Sequence, residues 1–115
     1  MNGQDILPLS AAVLHILLSL AGEDLHGYAI MQEVARQSEG KYKIGPGTLY
    51  DNLQKMIDRG WVEELGHRPH DDDPRRRYYR LTAGGKTLLK AEINRLAEVV
   101  REGQLRLQKP KPRRA

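Results

Sequence analysis

Residues 26–60, HGYAIMQEVARQSEGKYKIGPGTLYDNLQKMIDRG, decide the fold. Ala29, Ile30 and Val34, with Met31 beside them, recur at helical spacing, and Gln32, Glu33 and Arg36 fall opposite. This predicts a helix over 25–38, with Asp24 as its cap and Gly40 as its stop. His26, at the helix start, reads as a cap or packing residue. Gly27 costs about 1 kcal/mol relative to Ala inside a helix, but in a first turn it lets a neighbouring helix approach closely. Residues 41–44 read as a loop or a single short strand. Gly45-Pro46-Gly47 then breaks the chain, and Pro46 suits the first turn of a new helix. Leu49, Leu53, Met56 and Ile57 form one buried stripe along 46–59, and Gly60 ends that helix. Two short helices with a tight connection make a helix-turn-helix.

Before this pair, Leu9, Val13, Ile16, Leu17 and Leu20 recur at helical spacing over 9–21, with Ser10 near the start and Gly22 at the end. A helix apolar on nearly every side belongs to the core or to a surface shared with a partner subunit. His15 within it reads as a packed or interface residue. After the pair, 61–65 and 77–81 read as strands of an antiparallel hairpin with a long tip, GHRPHDDDPRR, at 66–76. Thr82 caps a last helix over 83–108. In it Leu89, Ile93, Leu96 and Val100 make a short heptad-like seam that Leu107 continues past Gly103. The tail KPKPRRA has nothing apolar to bury and is expected to be disordered.

The predicted fold class is mainly α with a small antiparallel β-hairpin: a winged helix-turn-helix plus a C-terminal dimerisation helix. The corresponding organisation is a DNA-binding domain over 1–82, a dimerisation helix over 83–108 and a basic tail over 109–115.

Composition narrows the function. At 115 residues, 39% hydrophobic and 5% aromatic with no Phe, the chain has a thin core, and an oligomer would bury more apolar surface. The absence of Cys excludes disulfides and thiolate metal ligands. No positively charged segment precedes the first apolar run and no stretch is long enough to span a bilayer, so a cytoplasmic protein with no membrane contact is expected. The net charge of +4 is unevenly placed. Residues 101–115 carry six cations against Glu102, so residues 1–100 sum to −1. Any nucleic-acid contact must rest on where the charges fall.

Two places carry them. On the outer face of helix 46–59, Gln54 can donate to and accept from adenine, while Lys55 and Arg59 suit phosphate or guanine. Thr48 and the first N–H groups suit a phosphate oxygen. Tyr50 either hydrogen-bonds to DNA or packs, and Lys43 in the connection adds a cation. Asp51 is unfavourable beside phosphate. At the hairpin tip, Arg68, Arg75, Arg76, Arg77 and Arg80 can track a minor groove, opposed by Asp71, Asp72 and Asp73. The bland alternative at both places is a solvated or self-neutralising charged surface.

No enzyme constellation is present. There is no phosphate-binding glycine loop with its Lys, and Ser10, Ser19 and Ser38 lack a base and orienting acid. No cofactor and no metal are expected, since nothing orders His67, His70 and the three aspartates into a coordination shell. Trp61 reads as a core anchor or as the wall of a cavity for a flat ligand.

The chain resembles the PadR family of bacterial transcriptional regulators, in its short form with one C-terminal helix. The resemblance lies in Leu25-His26-Gly27-Tyr28-Ala29-Ile30, in Gly47-Thr48-Leu49-Tyr50 with Leu53, in Gly60 before the first strand, and in Tyr78-Tyr79-Arg80-Leu81-Thr82 with Gly84-Gly85. It implies a homodimeric repressor of a roughly palindromic double-stranded operator. It implies an interface made by the first and last helices, through Leu9, Val13, Leu17, Leu89, Ile93, Leu96 and Val100. Tyr28 would lie near phosphate, with Thr48, Tyr50 and Lys55 near the backbone or base edges and the tip in the flanking minor groove. A small hydrophobic or aromatic effector that releases DNA is also implied. Asp51 stands where the family often has Pro, and Trp61 where it usually has a smaller apolar residue. Two other readings stay open: a winged-helix protein-interaction module, and a sensor working through Trp61 or the His and Asp loop.

Overall fold

The computed structural model describes residues 6–66, 73 and 75–108. His67, Arg68, His70, Asp71, Asp72 and the basic tail, singled out in the sequence, lie outside these described residues. Four helices and three strands follow in order: α1 (Ala11–Gly22), β1 (Leu25–His26), α2 (Gly27–Gln37), α3 (Pro46–Asp58), β2 (Val62–Gly66), β3 (Tyr78–Leu81) and α4 (Ala83–Gln108). The mainly helical class and the helix-turn-helix with its wing are as expected. The expected two-stranded hairpin is a three-stranded antiparallel sheet in the order β1-β3-β2.

The added strand corrects the start of α2. Leu25 and His26 are extended and pair with Tyr79 and Tyr78, so the helix begins at Gly27. Asp24 does not cap it. Its carboxylate accepts from Arg80 on β3, with Nη2–Oδ2 at 3.0 Å, and the His26 Nδ1 accepts the Ala29 N–H at 3.3 Å instead.

α1 packs against α2, α3, α4 and β3, which is why its apolar residues run nearly all round. Ile16, Leu17 and Leu20 join Ile30 and Val34 of α2, Leu49, Leu53 and Met56 of α3, and Trp61, Leu81, Leu88 and Leu89 in one core. The helix starts at Ala11 rather than at residue 9, with the Ser10 hydroxyl accepting the Val13 N–H. α3 closes through Gly60, at φ +78°, with the Trp61 N–H donating to Met56 O at 2.9 Å and the Gly60 N–H to Ile57 O at 3.0 Å. The Thr82 hydroxyl caps α4 by accepting the Gly85 N–H at 3.0 Å.

Glu92 on α4 is 1% exposed, and nothing in its sequence context announces this. Its Oε2 accepts the Leu9 N–H at 2.9 Å, which pulls Leu9 out of α1 and fixes the N-terminal segment on α4. Arg95 donates to the same carboxylate through Nε, at 2.5 Å to Oε1. The Arg95 hydrogen bonds, and then the Leu9 N–H, hold the Glu92 carboxyl below its ordinary value. A carboxyl depressed in the folded state stabilises above the unfolded value, and that stability is lost as pH falls through the folded one. Glu92→Gln is therefore expected to cost about 1–2 kcal/mol at neutral pH, with the difference from wild type shrinking as the pH drops below about 4.3. Urea unfolding at pH 7 and pH 3 reads this out. A difference that stays constant across that range would exclude the charged clasp.

Candidate nucleic-acid interface

α3 presents two faces. Leu49, Leu53 and Met56 are buried and fix its rotation, so Thr48, Tyr50, Asp51, Gln54 and Lys55 are exposed. Gly45, at its N-cap, makes no side-chain capping bond, which leaves first-turn N–H groups available to an acceptor. Gln54 Nε2 donates to Asp58 Oδ1 at 2.9 Å, a contact the sequence reading missed. It is an i, i+4 pair and could have been found from spacing alone.

The N-terminus of α2, α3 and the wing meet at a cleft of about 460 Å3. Tyr28 and Tyr50 line it, facing Arg75, Arg76 and Arg77, with His26 and Gly27 alongside. Tyr28 is 61% and Tyr50 49% exposed, large values for aromatic side chains beside a core. Five residues read from the sequence as DNA contacts are thus brought together. Tyr79, which also lines the cleft, has its phenol pushed up by burial and then by the Glu64 carboxylate.

Two of the arginines pair with carboxylates at the surface. Arg75 Nε lies 3.2 Å from Asp73 Oδ1, and its backbone N–H donates to the same oxygen at 2.9 Å. The Arg75 hydrogen bonds hold the Asp73 carboxyl below its usual range. Arg77 Nε is 3.6 Å from Glu64 Oε1. Both pairs lie at the surface, where water and salt screen them, so they can yield to a stronger anion.

The remaining candidates lie apart from this cleft. Lys43 is exposed in the α2–α3 connection, next to Tyr42, whose ring stacks on His15 at 4.9 Å. The Arg59 guanidinium stands 5.3 Å from the Trp61 ring centroid. Trp61 itself is 8% exposed and part of the core. A separate cavity of about 310 Å3 lies between α1, β3 and α4, lined mainly by Ala21, Leu81, Leu89 and Ile93, with Lys86 and Lys90 at its side. In the segment before α1, Leu9 is half-buried; on the helices, Val13 and Leu96 are half-buried and Ile93 and Val100 exposed, while Leu17 and Leu89 face the interior of the protomer. Val99, Leu105 and Leu107 extend the exposed apolar surface of α4. Among the described residues no group of three or more His, Cys, Asp or Glu is arranged to hold a metal ion, and no helix is long and apolar enough to cross a membrane.

The model of the transcriptional regulator PadR-like family matches residues 13–91, which span α1 to the first half of α4. The chain belongs to this family. Among its relatives, transcriptional regulator Rv3488 of Mycobacterium tuberculosis is 33% identical over 93 residues, 81% of this chain and 82% of that protein. Among solved structures, a PadR family transcription regulator of Clostridium difficile superposes with a TM-score of 0.68 at 23% identity, covering 84% of this chain and 99% of that one. Bacillus subtilis PadR in complex with operator DNA gives a TM-score of 0.64 at 21% identity, covering 73% of this chain and 47% of that one. At these identities the two structures establish a shared PadR winged-helix fold.

Proposed function

We propose that this PadR-like regulator binds a roughly palindromic double-stranded operator as a cytoplasmic homodimer, acts as a repressor without catalysis, and is released by a small effector. The observation that carries the reading is the cleft in which Tyr28 and Tyr50 face Arg75, Arg76 and Arg77. Phenol hydroxyls and guanidinium groups suit DNA phosphates, while the outward Thr48, Gln54 and Lys55 of α3 suit a major groove. The operator complex of Bacillus subtilis PadR supports the same use of the fold.

The exposed Ile93 and Val100, with the half-buried Leu96, Leu9 and Val13, form the proposed dimer seam. Leu17 and Leu89 back it from inside the protomer. Two copies would set their α3 helices about 34 Å apart, one turn of DNA. The buried setting of Trp61 favours the cavity between α1, β3 and α4 for a small hydrophobic or aromatic effector. That cavity adjoins α4, so a ligand there would act on the spacing of the α3 pair.

An equilibrium titration against the DNA upstream of its own gene, at two salt concentrations with a scrambled control, tests the reading. Preference for the upstream DNA at the higher salt is the expected result. Equal binding to both DNAs, seen only at low salt, would leave mere attraction to phosphate and favour the protein-interaction module.

A further inference from the structure

We infer that Gly27 is a positioning residue for the Tyr50 hydroxyl at the DNA interface, an inference that rests on the DNA-binding reading above. Gly27 is buried at the first position of α2. A β-carbon there would lie 2.2 Å from Tyr50 Oη, 2.9 Å from Cζ and 3.3 Å from Cε1. The end of the phenol is therefore seated against the Gly27 α-carbon, inside the cleft that the wing arginines line. The Tyr50 hydroxyl makes no hydrogen bond among the described residues, so its proton is available to an acceptor placed there. A DNA phosphate oxygen is such an acceptor, with the arginines supplying the opposite charge.

Relative costs make this a positioning role rather than a packing role. Tyr50 is half exposed, so its ring can swing outward if a methyl group takes the space. Alanine is also the better helix former. The Gly27→Ala protein should therefore keep its stability while its phenol leaves the seat. That separation of effects is what a purely structural glycine would not produce.

The test uses the full chain and labelled upstream DNA, with wild type, Gly27→Ala, Tyr50→Phe and the double variant, each also melted thermally. Gly27→Ala and Tyr50→Phe are each expected to weaken specific binding by about tenfold, with midpoints of melting close to wild type. The double variant should bind no worse than the weaker single, since both changes remove one interaction. Losses that add in full would overturn the inference, as would a Gly27→Ala protein that binds like wild type or no longer melts cooperatively. Tyr50→Phe decides independently of how Gly27→Ala folds, because unchanged affinity leaves the hydroxyl without a task. Failure of the wild type to prefer its upstream DNA would instead count against the DNA-binding reading itself.

Discussion

Gly85→Ala is expected to lower stability by about 3 kcal/mol, and the melting midpoint by about 12 °C. A β-carbon at Gly85 would lie 2.1 Å from the Trp61 carbonyl oxygen, 2.7 Å from Leu81 Cδ1 and 3.0 Å from the Trp61 carbonyl carbon. Unlike a surface phenol, that carbonyl cannot swing away. Its oxygen accepts the Thr82 N–H at 3.1 Å, and the Trp61 N–H closes α3 on Met56 O. Leu81 is held by its pairing with Val62. Alanine must therefore push α4 off the sheet or bend the junction of α3 and β2. Gly84 is an internal control, since its β-carbon would come no closer than 3.3 Å to the Gly60 oxygen. Gly84→Ala should cost less than about 1 kcal/mol, because a few tenths of an ångström of relaxation suffice and Ala is favoured in a helix. Thermal and urea unfolding of the two variants check this. A Gly85→Ala midpoint within a degree or two of wild type would mean that α4 does not rest on the Trp61 carbonyl.

Gly84-Gly85 was legible as a motif opening the last helix, while its cause was not, because the close contact is to a backbone atom 24 residues upstream. The same limit explains the other differences. Leu49, Leu53 and Met56 announced α3 because a helix repeats its core contacts every three or four residues. β1 has two residues and no period, so only its pairing with Tyr78 and Tyr79 defines it. Asp24 looked like a cap from local chemistry, but Arg80, 56 residues away, takes its carboxylate. Glu92 sits in a helix rich in charge and resembles its solvated neighbours until Leu9 and Arg95 are placed around it. Leu17 and Leu89 share the phase of the seam residues, and phase alone does not separate a protomer's own core from a surface offered to a partner. In the candidate site, residue types were readable, and the convergence of α2, α3 and the wing on one cleft depended on the tertiary fold.

Changing Arg75, Arg76 and Arg77 together to Gln should have the largest effect on DNA binding. Salt dependence measures it better than affinity alone. Each phosphate neutralised contributes about 0.9 to the slope of log K against log salt, so six arginines in a dimer should remove about 5 from it. Affinity at about 0.1 M salt should fall at least about 100-fold. The ion pairs to Asp73 and Glu64 do not prevent this, because they join exposed groups and exchange readily for phosphate. For the same reason the triple variant should unfold at a midpoint close to wild type. Replacement of Gln54 by Ala should leave the slope unchanged and narrow the gap between operator and scrambled DNA, since an amide reads base edges without releasing counterions. A triple variant that keeps the wild-type slope would place the wing away from the phosphates. The cleft would then need another anionic partner for its arginines, while α3 could still read the groove.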